Sequence, residues 1–285
     1  MTRGSQVKRL AGLKELVRIL ATLVILYMLT IKMQHADVPV MTSTRNAVAV
    51  TIPATNDDLH SGVLLKTLAS IRNQTDLPDE VVIRFSSSGA LVRSEIPTLE
   101  RVLRPIPLTV LSTSKYQNPG QNRNVAATAA ASQFISFFDS DDEMHPKRVH
   151  ILRELFTNTP KLDMILHGLT FTREGSWPLL NDSSMSVLGK SWLCENERRS
   201  RAAGTLWLDH SSLEHIITHG HVSVRKNVLK RHQFRNERSG EDCKFVRSVL
   251  QDICSSRDRE AVLVDEPLTF YIPRSQALKS AHTVS

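Results

Sequence analysis

Phe134-Ile135-Ser136-Phe137-Phe138 runs straight into Asp139-Ser140-Asp141-Asp142-Glu143. The first half is a short, almost wholly apolar run, the pattern of a strand covered on both faces. The second half places four acids within five residues. Carboxylates this close repel one another unless a cation neutralises them. Oxygen donors of this kind suit Mg²⁺ or Mn²⁺, so Asp139, Asp141 and Asp142 are the candidate metal ligands. A simpler reading is an acidic turn before a helix that starts near Pro146, where Pro at the first position and acids in the first turn are favoured. Both can hold at once. An EF-hand loop is excluded, because Met144 stands where its turn needs Gly and His150 where it needs Glu.

Working outward, the same alternation repeats. Val48–Ile52, Val81–Phe85 and Leu108–Leu111 read as three more strands. Between them, Leu64, Leu65, Leu68 and Ile71 give a helical face, residues 91–103 form a second helix, and the Ala-rich Gly120–Ser132 a third. Strands alternating with helices predict an α/β fold with a mostly parallel central sheet flanked by helices. In such sheets ligands bind beyond the carboxyl ends of the strands, which is where the acids fall. Residues 168–220 break the rhythm and read as an irregular insertion holding Trp177, Trp192 and Trp207, an expected acceptor-side lobe. Regularity returns at 239–254, with Phe245, Val246, Val249, Leu250 and Ile253 on one stripe.

Two further stretches carry chemistry. Gly120-Gln121-Asn122-Arg123-Asn124 opens a helix, whose free N–H groups and an Arg fork suit a phosphate. Ser239-Gly240-Glu241-Asp242 opens another. Acids there satisfy the helix dipole, and a carboxylate there can also act as a general base.

Taken in order, VAVTIPATN (48–56), GQNRNVAATAA (120–130), FISFFDSDD (134–142), GHVSVRKNVLKRHQF (220–234), GED (240–242) and EPLTFY (266–271) resemble a family 2-type glycosyltransferase of the GT-A, Rossmann-like fold, over about residues 46–275. The resemblance implies inverting transfer of a sugar from a nucleotide-diphosphate sugar to a glycan, lipid or protein acceptor. It implies a metal and donor site at Asp139 and Asp141, donor contacts from Pro53, Asn56, Arg123 and Asn124, and a catalytic acid pair in Glu241 and Asp242. It also implies a late His at the metal, for which His219, His221 and His282 are open candidates. One departure stands out. The family's acid after the second strand, which meets the nucleobase, is missing from Arg84-Phe85-Ser86-Ser87-Ser88-Gly89.

Composition narrows the alternatives. The 285 residues are 41% apolar and 23% charged, ordinary globular usage that excludes a disordered or polytopic chain. Of the net charge of +7, residues 1–32 carry +5, so the body is near neutral and offers no basic stripe for nucleic acid. The basic tail 1–18 precedes Ile19–Ile31, thirteen residues without a charge. As a helix this run spans about 20 Å, short of a bilayer core of about 30 Å. With Leu16 and Val17 added and Arg18 and Lys32 snorkelling outward, it reads as a signal-anchor over 19–32. The flanking charge predicts a cytoplasmic tail, a stem at 33–45 and a lumenal Golgi or ER body at 46–285, a type II membrane protein. A cleaved signal peptide and a buried helix are the alternatives; Gln34-His35-Ala36 makes a poor cleavage site. Of three cysteines, Cys243 and Cys254 share one expected helix about 16 Å apart, so any disulfide must use Cys194. Sequons stand at Asn73 and Asn181. A sugar nucleotidyltransferase would want a Gly-rich basic loop where Pro53-Ala54-Thr55-Asn56-Asp57 stands, and an aspartyl phosphatase a Thr or Val where Glu143 stands. A non-catalytic sugar-binding relative is the remaining alternative.

Overall fold

The computed structural model describes residues 46–86, 91–171, 177, 185–206, 208, 213 and 215–273. They belong to the second of two compact units, Ser43–Ser285. The expected tail, anchor and stem lie outside the described residues, as do Asn181, Trp207 and His282. Among the described residues no helix is long and apolar enough to cross a membrane.

In chain order the elements are β1 (Val48–Thr55), α1 (Asn56–His60), α2 (Val63–Arg72), β2 (Glu80–Ser86), α3 (Leu91–Leu103), β3 (Leu108–Ser112), α4 (Pro119–Ala129), β4 (Phe134–Phe137), β5 (Glu143–Met144), α5 (Arg148–Asn158), β6 (Leu162–Thr170), β7 (Val187–Leu188), α6 (Lys190–Ala202), β8 (Ile216–Arg225), α7 (Glu241–Ser255) and β9 (Glu260–Phe270). One sheet runs β3-β2-β1-β4-β8-β6-β9-β5, with β7 also on β9.

The expectation of a mostly parallel sheet holds only for its first half. β3, β2, β1 and β4 are parallel. β8 then lies antiparallel between β4 and β6, β9 is parallel to β6, and β5 and β7 pair antiparallel with β9. The sheet is therefore mixed. Helical crossovers join the first four strands and force them parallel. The long excursion between β6 and β8 has no such constraint, and β8 returns in the opposite direction.

Both faces are buried, as the apolar runs require. Val48, Val50, Ile52, Ile83 and Phe85 pack with Leu64, Leu68 and Ile71 of α2 and with Leu152 and Phe156 of α5. Ala49, Val82, Ile135 and Phe137 face the other way, onto Ala126 and Ala127 of α4 and Val246, Val249 and Leu250 of α7. The small side chains of α4 let it lie close to β1 and β2. Pro53 sits inside β1 because residues two apart direct their peptides to the same side. Thr51 still accepts from Phe138 N there (3.0 Å), but β4 pairing stops at Thr51–Phe137, so Pro53 forfeits no ladder bond.

The expected irregular insertion contains a thirteen-residue helix, α6. Its charges hid it, since only Leu193, Asn196, Glu197 and Ser200 are buried. A disulfide between Cys194 and Cys254 ties α6 to α7, and Cys243 is a buried free thiol. Trp192 packs against the core on this side, and Trp177 stands edge-on to the His145 ring at 4.9 Å.

Candidate active site

The acidic loop leaves β4 at the carboxyl edge and is fixed from below by α2. Thr67 Oγ1 lies 2.9 Å from the carbonyls of both Ser140 and Asp142. Gln74 donates to the His145 carbonyl (2.8 Å) and accepts from Val149 N (3.0 Å). The loop therefore reaches α5 with Asp142 fully buried.

Asp142 Oδ1 accepts from Ile272 N at 2.8 Å. Its Oδ2 faces His221 Nε2 at 3.0 Å, and Asp139 Oδ2 lies 3.3 Å from the same nitrogen. Asp142 Oδ2 and His221 Nε2 are buried and off hydrogen-bond alignment, leaving each without a hydrogen-bond partner. Burial raises the Asp142 pKa more than His221 lowers it. Burial disfavours charge on His221, but the carboxylates of Asp139 and Asp142 outweigh it and raise its pKa.

Asp139 is held from its other side by Arg123, with Nη2 to Oδ1 at 2.5 Å. Burial opposes the charge of Asp139, yet Arg123 and His221 hold its carboxyl far below the usual range. Arg123 Nη1 donates to Glu241 Oε1 at 2.9 Å, and the guanidinium lies 5.4 Å over the Phe234 ring. Burial disfavours its charge, but Asp139, Asp242 and Glu241 raise its pKa. Both Nη atoms are thus taken by carboxylates. Arg123 ties Asp139 to Glu241.

α4 can place Arg123 there because its start is well capped and closely packed. Asn118 Oδ1 accepts from Gln121 N (2.8 Å) and Gln121 Oε1 from Asn118 N (3.2 Å). A Cβ on Gly120 would stand 2.9 Å from both Arg235 O and Glu241 Cγ, so only Gly fits. Glu241 and Asp242 head α7. Glu241 is 6% exposed, turned inward to Arg123. Asp242 Oδ1 accepts from Cys243 N at 2.8 Å. Its Oδ2 converges with Asp139 Oδ2 and Arg123 Nη2 over Gly220, whose Cβ would meet them at 3.6, 3.2 and 3.4 Å.

The other expected site residues are placed as follows. Asp141 is half-buried and outside the Asp139–Asp142–His221 group. Tyr271, whose phenol is raised by burial and then by Asp142, Asp141 and Asp139, stands beside these acids. Asn124 donates to Phe234 O (2.8 Å) and accepts from Phe234 N (3.0 Å), so it pins the segment before α7. Pro53 is buried in β1, and Asn56 opens α1 at the strand's carboxyl end. Where the resemblance expects an acid, Arg84 Nε and Nη2 bond Gln117 Oε1 at 3.3 and 3.1 Å. Of the three His candidates, His221 joins the acids; the His219 ring lies 3.5 Å from Leu208 N. Sequence reasoning missed Arg148, which is fully buried behind the acids. In HPKRVHIL it reads as a surface residue at a helix start.

Asp139, Asp142 and His221 each offer one donor atom, all within 4.8 Å of one another. Adjacent ligands on an octahedral ion bound at about 2.1 Å lie about 3.0 Å apart, close to the 3.0 and 3.3 Å separations from Nε2. The two orphaned buried atoms and this spacing fit a divalent cation.

The chain belongs to glycosyl transferase family 2, whose model matches residues 49–230. Among curated proteins none matches the sequence. Among solved structures, S. aureus TarS 1–349 is similar at 18% identity with a TM-score of 0.56, over 84% of this chain and 64% of that one. The same protein in complex with UDP gives 0.56 over 82% and 63% at 18% identity. Its complex with UDP-GlcNAc gives 0.53 over 82% and 61% at 17% identity. This chain spans slightly less than two thirds of the length of TarS 1–349, and the likeness is one of fold.

Proposed function

We propose that the chain transfers a sugar, with inversion, from a nucleotide-diphosphate donor to an acceptor hydroxyl. The observation carrying this reading is the convergence of Asp139, Asp142 and His221 with Asp242 at one strand edge in a family 2 member. Asp139, Asp142 and His221 would hold Mn²⁺ or Mg²⁺, which when bound neutralises charge on the departing diphosphate. Asp242 takes the acceptor proton at Oδ2 while Cys243 N holds Oδ1. Glu241 fixes Arg123, and Arg123 fixes Asp139, so the reacting carboxylates are pre-positioned. The exposed ring of Tyr271 beside the acids, with Phe171 edge-to-face to it at 5.5 Å, supports a sugar-bearing acceptor.

The TarS complexes with UDP and UDP-GlcNAc make a uridine donor the first to assay. The purified full chain is incubated with a panel of nucleotide sugars, and nucleoside diphosphate release is followed with and without chelator. Metal-dependent release from one donor supports the reading. No binding and no release across the panel sinks it in favour of a non-catalytic relative. The Cys194–Cys254 bridge favours an oxidising compartment, consistent with a type II membrane protein anchored through 19–32 with a lumenal body. Carbonate extraction and glycosidase digestion at Asn73, exposed at the end of α2, test that placement.

A further inference from the structure

Arg148 opens α5 with 0% exposure, an uncommon place for a guanidinium. Its Nη2 donates to His221 O (2.7 Å), Ser136 Oγ (3.0 Å) and Phe137 O (3.1 Å). Its Nη1 donates to Thr269 Oγ1 at 3.0 Å, and its face lies 4.9 Å from the Phe138 ring. Burial works against its charge and Asp139 and Asp142 favour it; a guanidinium stays protonated in proteins.

A guanidinium has donors only, so Thr269 Oγ1 must accept from it. His221 Nδ1 lies 3.2 Å away. The hydroxyl can accept from a protonated Nδ1 through its second lone pair or donate to a bare one, so a cation at Nε2 selects the first arrangement. For Nε2 to give its lone pair to a cation, the ring proton must sit on Nδ1. Metal-bound His rings donate that second N–H to a partner that fixes their orientation. Thr269 and His221 are 0% and 1% exposed, so water does not compete for that role. Arg148 also grips the backbone carbonyl of the same histidine, which fixes His221 at both ends.

We propose that Thr269, oriented by Arg148, is the positioning residue that keeps the His221 proton on Nδ1 and presents Nε2 between Asp139 and Asp142. This rests on the metal reading of that group. The role belongs to the strand contributed last to the sheet, β9, and needs no contact with substrate.

The test is Mn²⁺ binding to the full chain, read by the electron paramagnetic resonance of free Mn²⁺, with no donor present. Thr269→Val keeps the branched shape and removes the hydroxyl; Thr269→Ser restores it. Loss of an outer partner costs about 10–100-fold in metal affinity, so Thr269→Val should weaken binding by that factor with Thr269→Ser near wild type. With diamagnetic Mg²⁺, the nitrogen spectrum of His221 should show a protonated Nδ1 in wild type and a mixed tautomer in Thr269→Val. If Thr269→Val does not fold, Arg148→Lys carries the same test, since Lys lacks the rigid fork that holds Thr269 through Nη1 and the His221 carbonyl through Nη2. Mn²⁺ binding lost in Asp142→Asn but unchanged in Thr269→Val and Arg148→Lys overturns the positioning role. No Mn²⁺ binding by the wild type overturns the metal reading instead, and this inference with it.

Discussion

His221 on β8 and Asp142 in the loop after β4 face each other at 3.0 Å, Nε2 to Oδ2. Each is buried, and across that gap neither finds a hydrogen bond. A polar pair held this way is poised for a third party. Asp142→Asn and His221→Ala should each weaken Mn²⁺ affinity by more than the roughly 10–100-fold of an outer partner. Asp141→Asn, lying outside the group, should weaken it less than Asp142→Asn. Calorimetry on the three variants checks the ranking; equal losses would bring Asp141 into the shell.

Asp242 and Glu241 are neighbours with different expected roles. Removing a general base costs about 10²–10⁴-fold in rate. Asp242→Asn should lower turnover by that order while donor affinity, metal affinity and melting temperature persist, because the Asn Oδ1 still accepts from Cys243 N. Near wild-type turnover would move the base elsewhere. Glu241→Ala should act on stability, since breaking a buried pair costs about 3 kcal/mol. Thermal unfolding measures this directly.

Gly220 carries no side chain where three charged groups close in. A methyl there would stand 3.2 Å from Asp139 Oδ2 and 3.4 Å from Arg123 Nη2. Overpacking of this kind costs about 1–3 kcal/mol. A small displacement of Asp139 should cost catalysis more, as misplacement by about 1 Å can cost 10²-fold. Gly220→Ala is therefore expected to keep its fold and lose most of its turnover. Full turnover would mean that Asp139 has room the geometry does not indicate.

The Cys194–Cys254 bridge closes a loop of 60 residues. Loop-closure entropy puts its contribution at about 4 kcal/mol. Cys254→Ser, or reduction of the wild type, should lower the melting temperature markedly without touching the acids. An unchanged melting temperature under reductant would mean that α6 is held by packing alone.

The parallel half of the fold was legible because apolar runs and helical stripes alternate there without interruption. β6, β8 and β9 were harder to read. LDMILHGLT and IITHGHVSV place His, Asp and Thr inside buried strands, where polarity argues against burial until their partners are known. The acids were legible from repulsion alone. Arg123 and His221 were named through the resemblance, but not their pairing with Asp139, Glu241 and Asp142; Arg148 and Thr269 were not named, because they acquire meaning only when several elements meet. Arg148 is the clearest example. Its neighbours in sequence are Lys147 and Val149, while its hydrogen-bond partners lie at 136, 137, 221 and 269.

β9 leaves the ribosome a hundred residues after β6, the strand it pairs with in parallel. Until it arrives, β6 and β5 lack their neighbour, Ile272 N is absent from Asp142, and Thr269 is absent from Arg148. Nascent chains paused before residue 260 would expose an unpaired edge and an unsupported cluster of acids. Closure of the sheet by β9 and support of Asp142 and Arg148 by Ile272 and Thr269 therefore arrive together.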